Sequence, residues 1–176
     1  MEENRFLAGE HPGGFDLETT RHRMDAFLRA GIDTFIDLTQ SHERETYETV
    51  LKELGREQGL TTSYHRVSIR DHGIPEPESM IRILDTIDET LKNGRKVYVH
   101  CWGGVGRTGM AVGCYLARHG IKNEDALAQV NRWYKARPHN PSFPNSPETR
   151  EQIQFVLAWR EIPAPQNNKD QHTSPA

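Results

Sequence analysis

Apolar residues recur along this chain at two spacings, one typical of short buried strands and one typical of amphipathic helices. The predicted strands cover residues 5–8, 34–38, 63–69 and 97–99. The predicted helices cover 18–30, 43–58, 78–93, 110–117 and 123–137, with a last helix that begins at Ser146. Strands and helices that alternate in this way favour an α/β fold, with a mainly parallel central sheet flanked by helices on both faces.

Three of the predicted helices have distinctive local sequences. The segment 110–117 is apolar on all sides, which is typical of a helix buried in the core. Asn123 is predicted to cap the start of the helix that follows. Ser146-Pro147-Glu148 is predicted to begin the last helix, since proline is favoured in a first turn.

Length and charge narrow the classes of protein that the chain can belong to. Its 176 residues fit one domain, which we predict over 1–162, and the polar, proline-containing segment 163–176 predicts a disordered tail. The formal net charge of −3 provides no basic field for nucleic acid. No apolar run approaches the roughly 20 residues of a membrane span. We expect a monomer with neither a nucleic-acid nor a membrane partner.

The cysteine content indicates the cellular compartment in which the protein is expected to act. The chain has only two cysteines, Cys101 and Cys114, which argues against a disulfide scaffold. The first residues lack the apolar core of a signal peptide. A reactive thiolate also requires a reducing compartment, so we expect the cytoplasm.

The stretch 97–109 carries the strongest chemical signal. An apolar strand ends at His100, Cys101 follows, and a glycine-rich turn leads into a helix; the turn consists of Trp102, Gly103, Gly104, Val105 and Gly106. Glycines let backbone N–H groups converge on an anion, and the following helix directs its positive end to the same point. This environment favours a nucleophilic thiolate. Arg107 can bind two phosphate oxygens at once, and the Thr108 hydroxyl can donate to the thiolate.

The pattern Val-His-Cys-x5-Arg-Thr-Gly, with a strand before it and a helix after it, resembles the signature of the protein tyrosine phosphatase superfamily. The short chain and the segments 5–13 and 144–152 are similar to small dual-specificity and kinase-associated phosphatases. The resemblance implies hydrolysis of phosphomonoesters through a phosphocysteine at Cys101, without a cofactor. It also implies that His100 indirectly supports the phosphate-binding turn 102–106, which is called the cradle below, and that Gln152 positions the hydrolytic water. The alternative is that Gln152 is a surface residue without this role.

A phosphatase of this kind needs a general acid, which then acts as base on water. Asp71 is the candidate, since it lies in a Gly- and Pro-punctuated loop between a strand and a helix, thirty residues before Cys101. This position matches the acid loop of the resembled family. Asp71 could instead have only a turn-forming role, because aspartate is common in turns.

Other polar residues are predicted to have structural roles. Asp37 is interpreted as a hydrogen-bonding group, and Glu43 and Glu45 as a solvated helix start, although one of them could orient Arg107. Cys114 is interpreted as a core residue rather than a thiol that protects Cys101. The remaining histidines lack the spacing of metal ligands, so no metal site is predicted.

The sequence specifies the class of substrate less strongly than it specifies the reaction. The turn contains no lysine, whereas phosphoinositide phosphatases with this cradle often carry lysines there. The sequence therefore favours phosphotyrosine- or phosphoserine/threonine-containing proteins as substrates. A phosphoinositide or other non-protein phosphatase, a phosphate-binding pseudophosphatase and a sulfurtransferase remain as alternatives. Arg66, Arg70, Arg95, Lys96 and Arg132 could supply a basic rim.

Overall fold

Four parallel strands form the central sheet of the computed structural model, which describes residues 4–138 and 141–161. The strands are β1 (Phe6–Gly9), β2 (Ile32–Asp37), β3 (Ser63–Arg66) and β4 (Lys96–His100), and they are arranged in the order β1-β4-β2-β3. Every strand pair is parallel. The predicted parallel sheet is confirmed, and the predicted tail lies outside the described residues.

Within these residues, six helices flank the sheet. They are α1 (Leu17–Arg29), α2 (Glu48–Gln58), α3 (Pro77–Lys92), α4 (Gly106–Arg118), α5 (Asn123–Lys135) and α6 (Arg150–Ala158). Val97 and Val99 of β4 pack into a core shared with α3 to α6, whereas Tyr98 between them packs with α1 and α2. This alternation places helices on both faces of the sheet, as predicted. Within the described residues, no helix combines the length and apolar character that a membrane crossing requires.

Helix α4 is the central packing element, because it contacts strands β1 and β4 as well as helices α3, α5 and α6. All residues from Gly106 to Leu116 are buried. An ideal Cβ on Gly113 would lie 2.9 Å from a methyl group of Val156, so α6 packs closely against this helix. The predicted buried helix is confirmed, and it begins directly after the cysteine turn.

The predicted starts of α2 and α6 and the predicted cap of α5 differ from the structure. Helix α2 begins at Glu48 rather than at residue 43, because residues 41–43 form a turn in which the Glu43 carboxylate accepts from the Gln40 N–H at 2.7 Å. Helix α6 begins at Arg150, since Thr149 and Gln152 form a capping box. Lys122 rather than Asn123 occupies the cap position of α5. The Asn123 amide instead donates to the Val156 carbonyl at 2.7 Å.

The carboxyl ends of the strands meet at one edge of the sheet. Asp37 at the end of β2 pairs in register with His100 at the end of β4, and Gly9 of β1 pairs with His100 from the other side. Ligands of parallel α/β sheets bind beyond this edge. The topology therefore places Cys101, the residue after β4, where a binding site is expected.

Candidate active site

Cys101 lies at the base of a cavity of about 430 Å³. Its side chain is only 3% exposed, and five residues, 101–105, separate β4 from the first residue of α4. The N–H groups in the first turn of α4 have no acceptor within the helix, so they are available to an anion in the turn. The fold therefore places Cys101 next to the amino end of α4, where the anion cradle is predicted.

Gly104 is the position where the cradle requires glycine. Its φ is +68°, and an ideal Cβ would lie 2.3 Å from the carbonyl carbon of Gly9. A side chain here would be strained and would collide with the end of β1. Four of the predicted binding residues of the turn, Trp102, Gly103, Val105 and Gly106, line the cavity, whereas Gly104 lies behind it against Gly9.

Arg107 is held in place by hydrogen bonds from several elements. Its Nη1 and Nη2 donate to the two carboxylate oxygens of Glu43 at 2.7 and 2.8 Å. Nη1 also donates to the Ile69 carbonyl at 3.0 Å. The residue is 1% exposed, yet it lines the cavity beside Cys101. Such fixed bidentate contacts leave the guanidinium oriented for a phosphate.

The interpretation of Glu43 as a solvated helix start is wrong. The early turn at residues 41–43 carries the Glu43 side chain inward to Arg107, and its carboxylate is only 11% exposed. Burial opposes ionisation of Glu43, but the hydrogen bonds from Arg107 and from the Gln40 N–H, together with the positive charge of Arg107, outweigh it, so the pKa of Glu43 lies below the usual value. Glu43 thus remains an anion that orients and balances Arg107, while Glu45 is exposed.

Asp71, the predicted acid, lines the same cavity. Its Oδ1 lies 2.8 Å from Nη2 of Arg107, and half of the side chain, 51%, is exposed. The next residue, His72, has a left-handed backbone with φ of 58° and places Nε2 3.5 Å from the Asp71 carboxylate. The fold therefore brings Asp71 together with Cys101 and Arg107, as the proton-transfer role requires.

His100 belongs to a buried hydrogen-bonded group beneath the turn. Its Nδ1 lies 3.1 Å from the Cys101 carbonyl, and its Nε2 lies 2.6 Å from the Tyr47 hydroxyl. Burial lowers the pKa of His100 to about 4, although the nearby Asp37 carboxylate opposes this shift. A neutral ring that donates from Nδ1 and accepts at Nε2 satisfies both contacts. His100 thus contacts the backbone of Cys101 rather than the cavity.

Asp37 has the structural contacts that were predicted. Its carboxylate accepts from the Thr39 hydroxyl and the Tyr64 hydroxyl, both at 2.6 Å, and from the Arg66 guanidinium at 2.8 Å. Burial opposes ionisation of Asp37, but its hydrogen bonds favour the carboxylate, and the pKa of Asp37 lies below the usual value. Asp37 therefore fixes the end of β2 next to β4.

Thr108 differs from its predicted contact, and Gln152 makes contacts that were not predicted. The Thr108 hydroxyl donates to the Gly9 carbonyl at 3.4 Å rather than to the thiol. The fully buried Gln152 amide donates to the Gly73 carbonyl at 3.1 Å and accepts from the Thr149 N–H at 3.3 Å. Gln152 therefore links the loop that carries Asp71 to the start of α6. Its predicted contact with the hydrolytic water stays a prediction.

Sequence reasoning missed several residues of the cavity. Glu10, Tyr134, Arg137, Phe143 and Glu148 line it alongside the predicted residues. Arg137 donates to the Gly104 carbonyl at 3.2 Å and is the basic rim residue, whereas none of the five cations proposed for the rim lines the cavity. The Thr149-x-x-Gln152 pattern is a capping-box signal that would have placed Glu148 before the helix.

Two further predictions concern Cys114 and metal binding. Cys114 is fully buried in the core, and burial raises the pKa of its thiol well above the usual value, as expected for an unreactive core residue. The spacing argument against a metal overlooked Glu148. Asp71, His72 and Glu148 bring possible ligand atoms within 4.8 Å of one another, a spacing that a cation could bridge.

Glu43→Gln should lower kcat/KM for p-nitrophenyl phosphate about tenfold. The amide keeps the shape of the side chain but removes the anion opposite Arg107, and the charge-assisted part of such hydrogen bonds is worth about 1.5 kcal/mol. Steady-state kinetics with Glu45→Gln as the matched surface control will measure the effect. Equal activity of the two variants would show that Glu43 does not orient the Arg107 guanidinium.

A thiol at the end of a central parallel strand, beneath a glycine turn and a fixed guanidinium, defines the class of cysteine-dependent phosphatases with the protein tyrosine phosphatase fold. The family model described as "Swiss Army Knife protein, DSP-PTPase phosphatase domain" matches residues 13–161. The chain belongs to this family. Its predicted membership in the superfamily is confirmed, and residues 13–161 form a phosphatase domain of the tyrosine and dual-specificity type.

Curated relatives share the same domain. The mouse protein tyrosine phosphatase domain-containing protein 1 is 29% identical over 174 residues, which cover 94% of this chain and 22% of the mouse protein. Rat cyclin-dependent kinase inhibitor 3 is 32% identical over 84 residues, which cover 48% of this chain and 39% of the rat protein. The chain thus spans well under half the length of either relative.

Solved structures have the same fold. Tk-PTP in its active form superposes with a TM-score of 0.64 and 25% identity, over 87% of this chain and 88% of that one. PTPMT1 in complex with PI(5)P superposes with a TM-score of 0.65 and 18% identity, over 88% and 89% of the two chains. At 18% identity the likeness to PTPMT1 concerns the fold alone.

Proposed function

We propose that this chain hydrolyses phosphotyrosine, and phosphoserine or phosphothreonine, in protein substrates through a phosphocysteine formed on Cys101. The observation that carries the proposal is the single cavity that holds Cys101, Arg107 and Asp71 together. Because the thiolate is the working form, we further propose a reducing compartment, the cytoplasm, as the site of action.

The proposed reaction has two halves. In the first, the Cys101 thiolate attacks phosphorus, the S–P bond forms, and the P–O bond to the leaving group breaks as the Asp71 carboxyl group protonates that oxygen. In the second, water attacks the phosphocysteine, the Asp71 carboxylate takes a proton from the water, and the thiolate leaves. Arg107 and the N–H groups of the turn balance the phosphoryl charge in both halves.

The walls of the cavity favour a phosphorylated side chain of a protein. Trp102, Tyr134 and Phe143 line it and can pack against a phenyl ring. The nearly buried thiol also favours a substrate whose phosphate extends away from its backbone, as in phosphotyrosine. The similarity to a kinase inhibitor and to a tyrosine phosphatase domain-containing protein supports the same class.

The charges of the cavity disfavour a headgroup with several phosphates. Three carboxyl groups, those of Glu10, Asp71 and Glu148, line the cavity. Among the described residues, the permanent cations that line it are Arg107 and Arg137, and Glu43 already balances Arg107. A polyanionic inositol phosphate would therefore face like charges near the cradle. This favours a protein substrate over a phosphoinositide.

A panel of substrates tests this proposal. The purified protein is assayed with a phosphotyrosyl peptide, a phosphoseryl peptide, a water-soluble phosphoinositide and thiosulfate with cyanide. We expect kcat/KM on the phosphotyrosyl peptide to exceed that on the phosphoinositide by about tenfold or more, as specific pocket contacts allow.

Other results of this substrate panel would identify one of the alternative functions. A higher kcat/KM on the phosphoinositide would overturn the assignment to protein substrates. Thiocyanate formation without phosphate release would identify a sulfurtransferase. Tight binding of the phosphopeptide without any turnover would identify a pseudophosphatase.

A further inference from the structure

A second cavity, of about 490 Å³, lies next to the catalytic cavity, and Trp102 lines both of them. Its walls come mainly from the loops that follow β1 and β2, residues 10–16 and 38–47, and it is called the side groove below. The His11 N–H donates to the Trp102 carbonyl at 2.9 Å, which attaches the side groove to the cradle. A substrate whose phosphorylated side chain enters the catalytic cavity can therefore extend its neighbouring residues into the side groove.

Arg44 places a positive charge in the side groove. Its guanidinium carbon lies 5.5 Å from the centre of the Phe15 ring and 4.7 Å from that of the Trp102 ring. These contacts hold the guanidinium in place but do not neutralise it. Among the described residues, Arg44 pairs with no carboxylate, and its Nε–H donates to no acceptor. A fixed cation with an unused donor is thus present beside the catalytic cavity.

His11 provides a second unused donor in the side groove. The residue is only 6% exposed, and its Nδ1 accepts from the Gly13 N–H at 3.1 Å. Burial lowers the pKa of His11, so the ring is neutral and carries its proton on Nε2. Within residues 4–138 and 141–161, Nε2 has no hydrogen-bond partner. Because an unpaired buried donor is costly, a ligand that accepts from it would be stabilised.

The carboxylates that line the side groove do not balance Arg44. Asp16 caps the start of α1, and Glu43 is bound to Arg107. Glu45, the residue after Arg44, is exposed at the rim. The side groove therefore offers a charge and a hydrogen-bond donor to an anionic group that enters from outside.

A carboxylate side chain suits these donors. Its two oxygens can accept from Arg44 and from His11 at the same time. A phosphate suits the side groove less well, since Glu43 and Glu45 would repel its second charge. A peptide bound here would also cover the Phe15 ring, which is 95% exposed.

The two cavities are close enough for one short peptide to occupy both. Trp102 is the residue after Cys101, and its side chain lines both cavities. An extended peptide advances roughly 3.3 Å per residue, so two or three residues span the width of an indole ring. The acidic residue would thus be near the phosphotyrosine in the sequence of the substrate.

We propose that the side groove binds an aspartate or glutamate that lies within three residues of the phosphotyrosine in a protein substrate. Arg44 and the Nε2–H of His11 donate to its carboxylate, which makes Arg44 a residue that determines specificity. This inference rests on the proposed function as a protein phosphatase and specifies which phosphoproteins are preferred.

Phosphotyrosyl peptides that differ at one position test the proposal. Glutamate, glutamine, lysine or phosphoserine is placed in turn at each of the three positions on either side of the phosphotyrosine, and kcat/KM is measured for each peptide. We expect glutamate to be preferred over glutamine about tenfold at one or two positions, as a charge-assisted hydrogen bond allows. The preference should decrease as the salt concentration rises.

Substitutions of Arg44 should change this preference in a defined way. Arg44→Gln should reduce the ratio of kcat/KM for the glutamate and glutamine peptides to about one, and Arg44→Glu should make lysine the preferred residue. Arg56→Gln removes the same charge from an exposed position on α2, outside both cavities, and should keep the wild-type ratio. Each ratio compares two peptides on one variant, so a general loss of activity does not affect it.

Binding to Cys101→Ser provides a measurement that does not depend on turnover. The Nε–H resonance of Arg44 can be assigned by its loss in Arg44→Gln. In Cys101→Ser, this resonance should shift when the glutamate peptide binds and should change little with the glutamine peptide.

Three results would overturn the proposal while leaving the proposed function intact. The first is hydrolysis of the glutamate and glutamine peptides with equal kcat/KM at every position. The second is a glutamate preference that Arg44→Gln retains, which would place the acidic residue elsewhere. The third is a preference for phosphoserine without one for glutamate, which would identify a phosphate as the occupant.

Failure of the proposed function would look different. In that case the wild-type protein would hydrolyse none of the phosphotyrosyl peptides, whatever residue flanks the phosphotyrosine. Binding of the glutamate and glutamine peptides to Cys101→Ser would still decide whether the side groove selects an acidic residue.

Discussion

Cys101→Ser is expected to remove essentially all hydrolysis of p-nitrophenyl phosphate while the protein stays folded. The thiol lies at the base of the cavity, where we propose that its thiolate attacks phosphorus, and a serine hydroxyl is a far weaker nucleophile without an adjacent base. The substitution replaces one buried atom by a smaller one, so the core should tolerate it. Steady-state turnover and a thermal melt of the same preparation measure the two effects separately.

Cys114→Ser is the matched control for this variant. Cys114 is fully buried on α4, outside the catalytic cavity. The serine variant should therefore retain most of the activity, even if burial of its hydroxyl lowers the melting temperature. Substantial turnover by Cys101→Ser would mean that the nucleophile is another group.

Arg107→Lys is expected to lower kcat by at least about a hundredfold. The charge is conserved, but a lysine has a single ammonium group in place of the planar fork, which here contacts both Glu43 oxygens and the Ile69 carbonyl. Positioning of the phosphate and stabilisation of the transition-state charge should both suffer. Turnover of the phosphotyrosyl peptide at saturating concentration measures the loss.

Arg118→Lys provides the comparison on the same helix. Arg118 pairs with Asp85 and Asp88 at the far end of α4 and does not line the cavity. Its replacement should change stability slightly and leave kcat close to the wild-type value. If the kcat of Arg107→Lys were also within a few-fold of the wild-type value, Arg107 would not be the residue that binds the phosphate.

The cradle could be predicted from sequence because its determinants are local. A strand, a cysteine, glycines and a helix follow one another within thirteen residues, 97–109, and each restricts the backbone directly. Gly104 shows the reason, since its left-handed φ and its contact with Gly9 both require the absence of a side chain. Alternating strands and helices likewise specified the parallel sheet.

Glu43 could not be distinguished from Glu45 by sequence. Its partner Arg107 lies 64 residues further along the chain, and the charged stretch from residue 43 resembles the first turn of a helix. The difference arises because a local turn, with the Glu43 carboxylate bonded to the Gln40 N–H, replaces the first helical turn. Side-chain contacts over such separations depend on the folded sheet, which no periodicity encodes.

Glu148 was obscured by competition between two possible helix starts. Ser146-Pro147 suits a first turn, but Thr149 and Gln152 satisfy the backbone N–H groups reciprocally and place the start at Arg150. Glu148 is therefore left before the helix, where its carboxyl can enter the cavity. The capping pattern was visible in the sequence, whereas the proximity of Glu148 to Asp71 was not.

The covalent intermediate provides the most direct test of the mechanism. Wild-type protein or Cys101→Ser is mixed with the phosphotyrosyl peptide, quenched with acid within milliseconds, digested under conditions that preserve thiophosphate, and analysed by mass spectrometry. We predict a phosphoryl group on the peptide that contains Cys101 in the wild-type protein and none in Cys101→Ser. A phosphoryl group on another residue, or turnover that never yields a covalent intermediate, would contradict the mechanism.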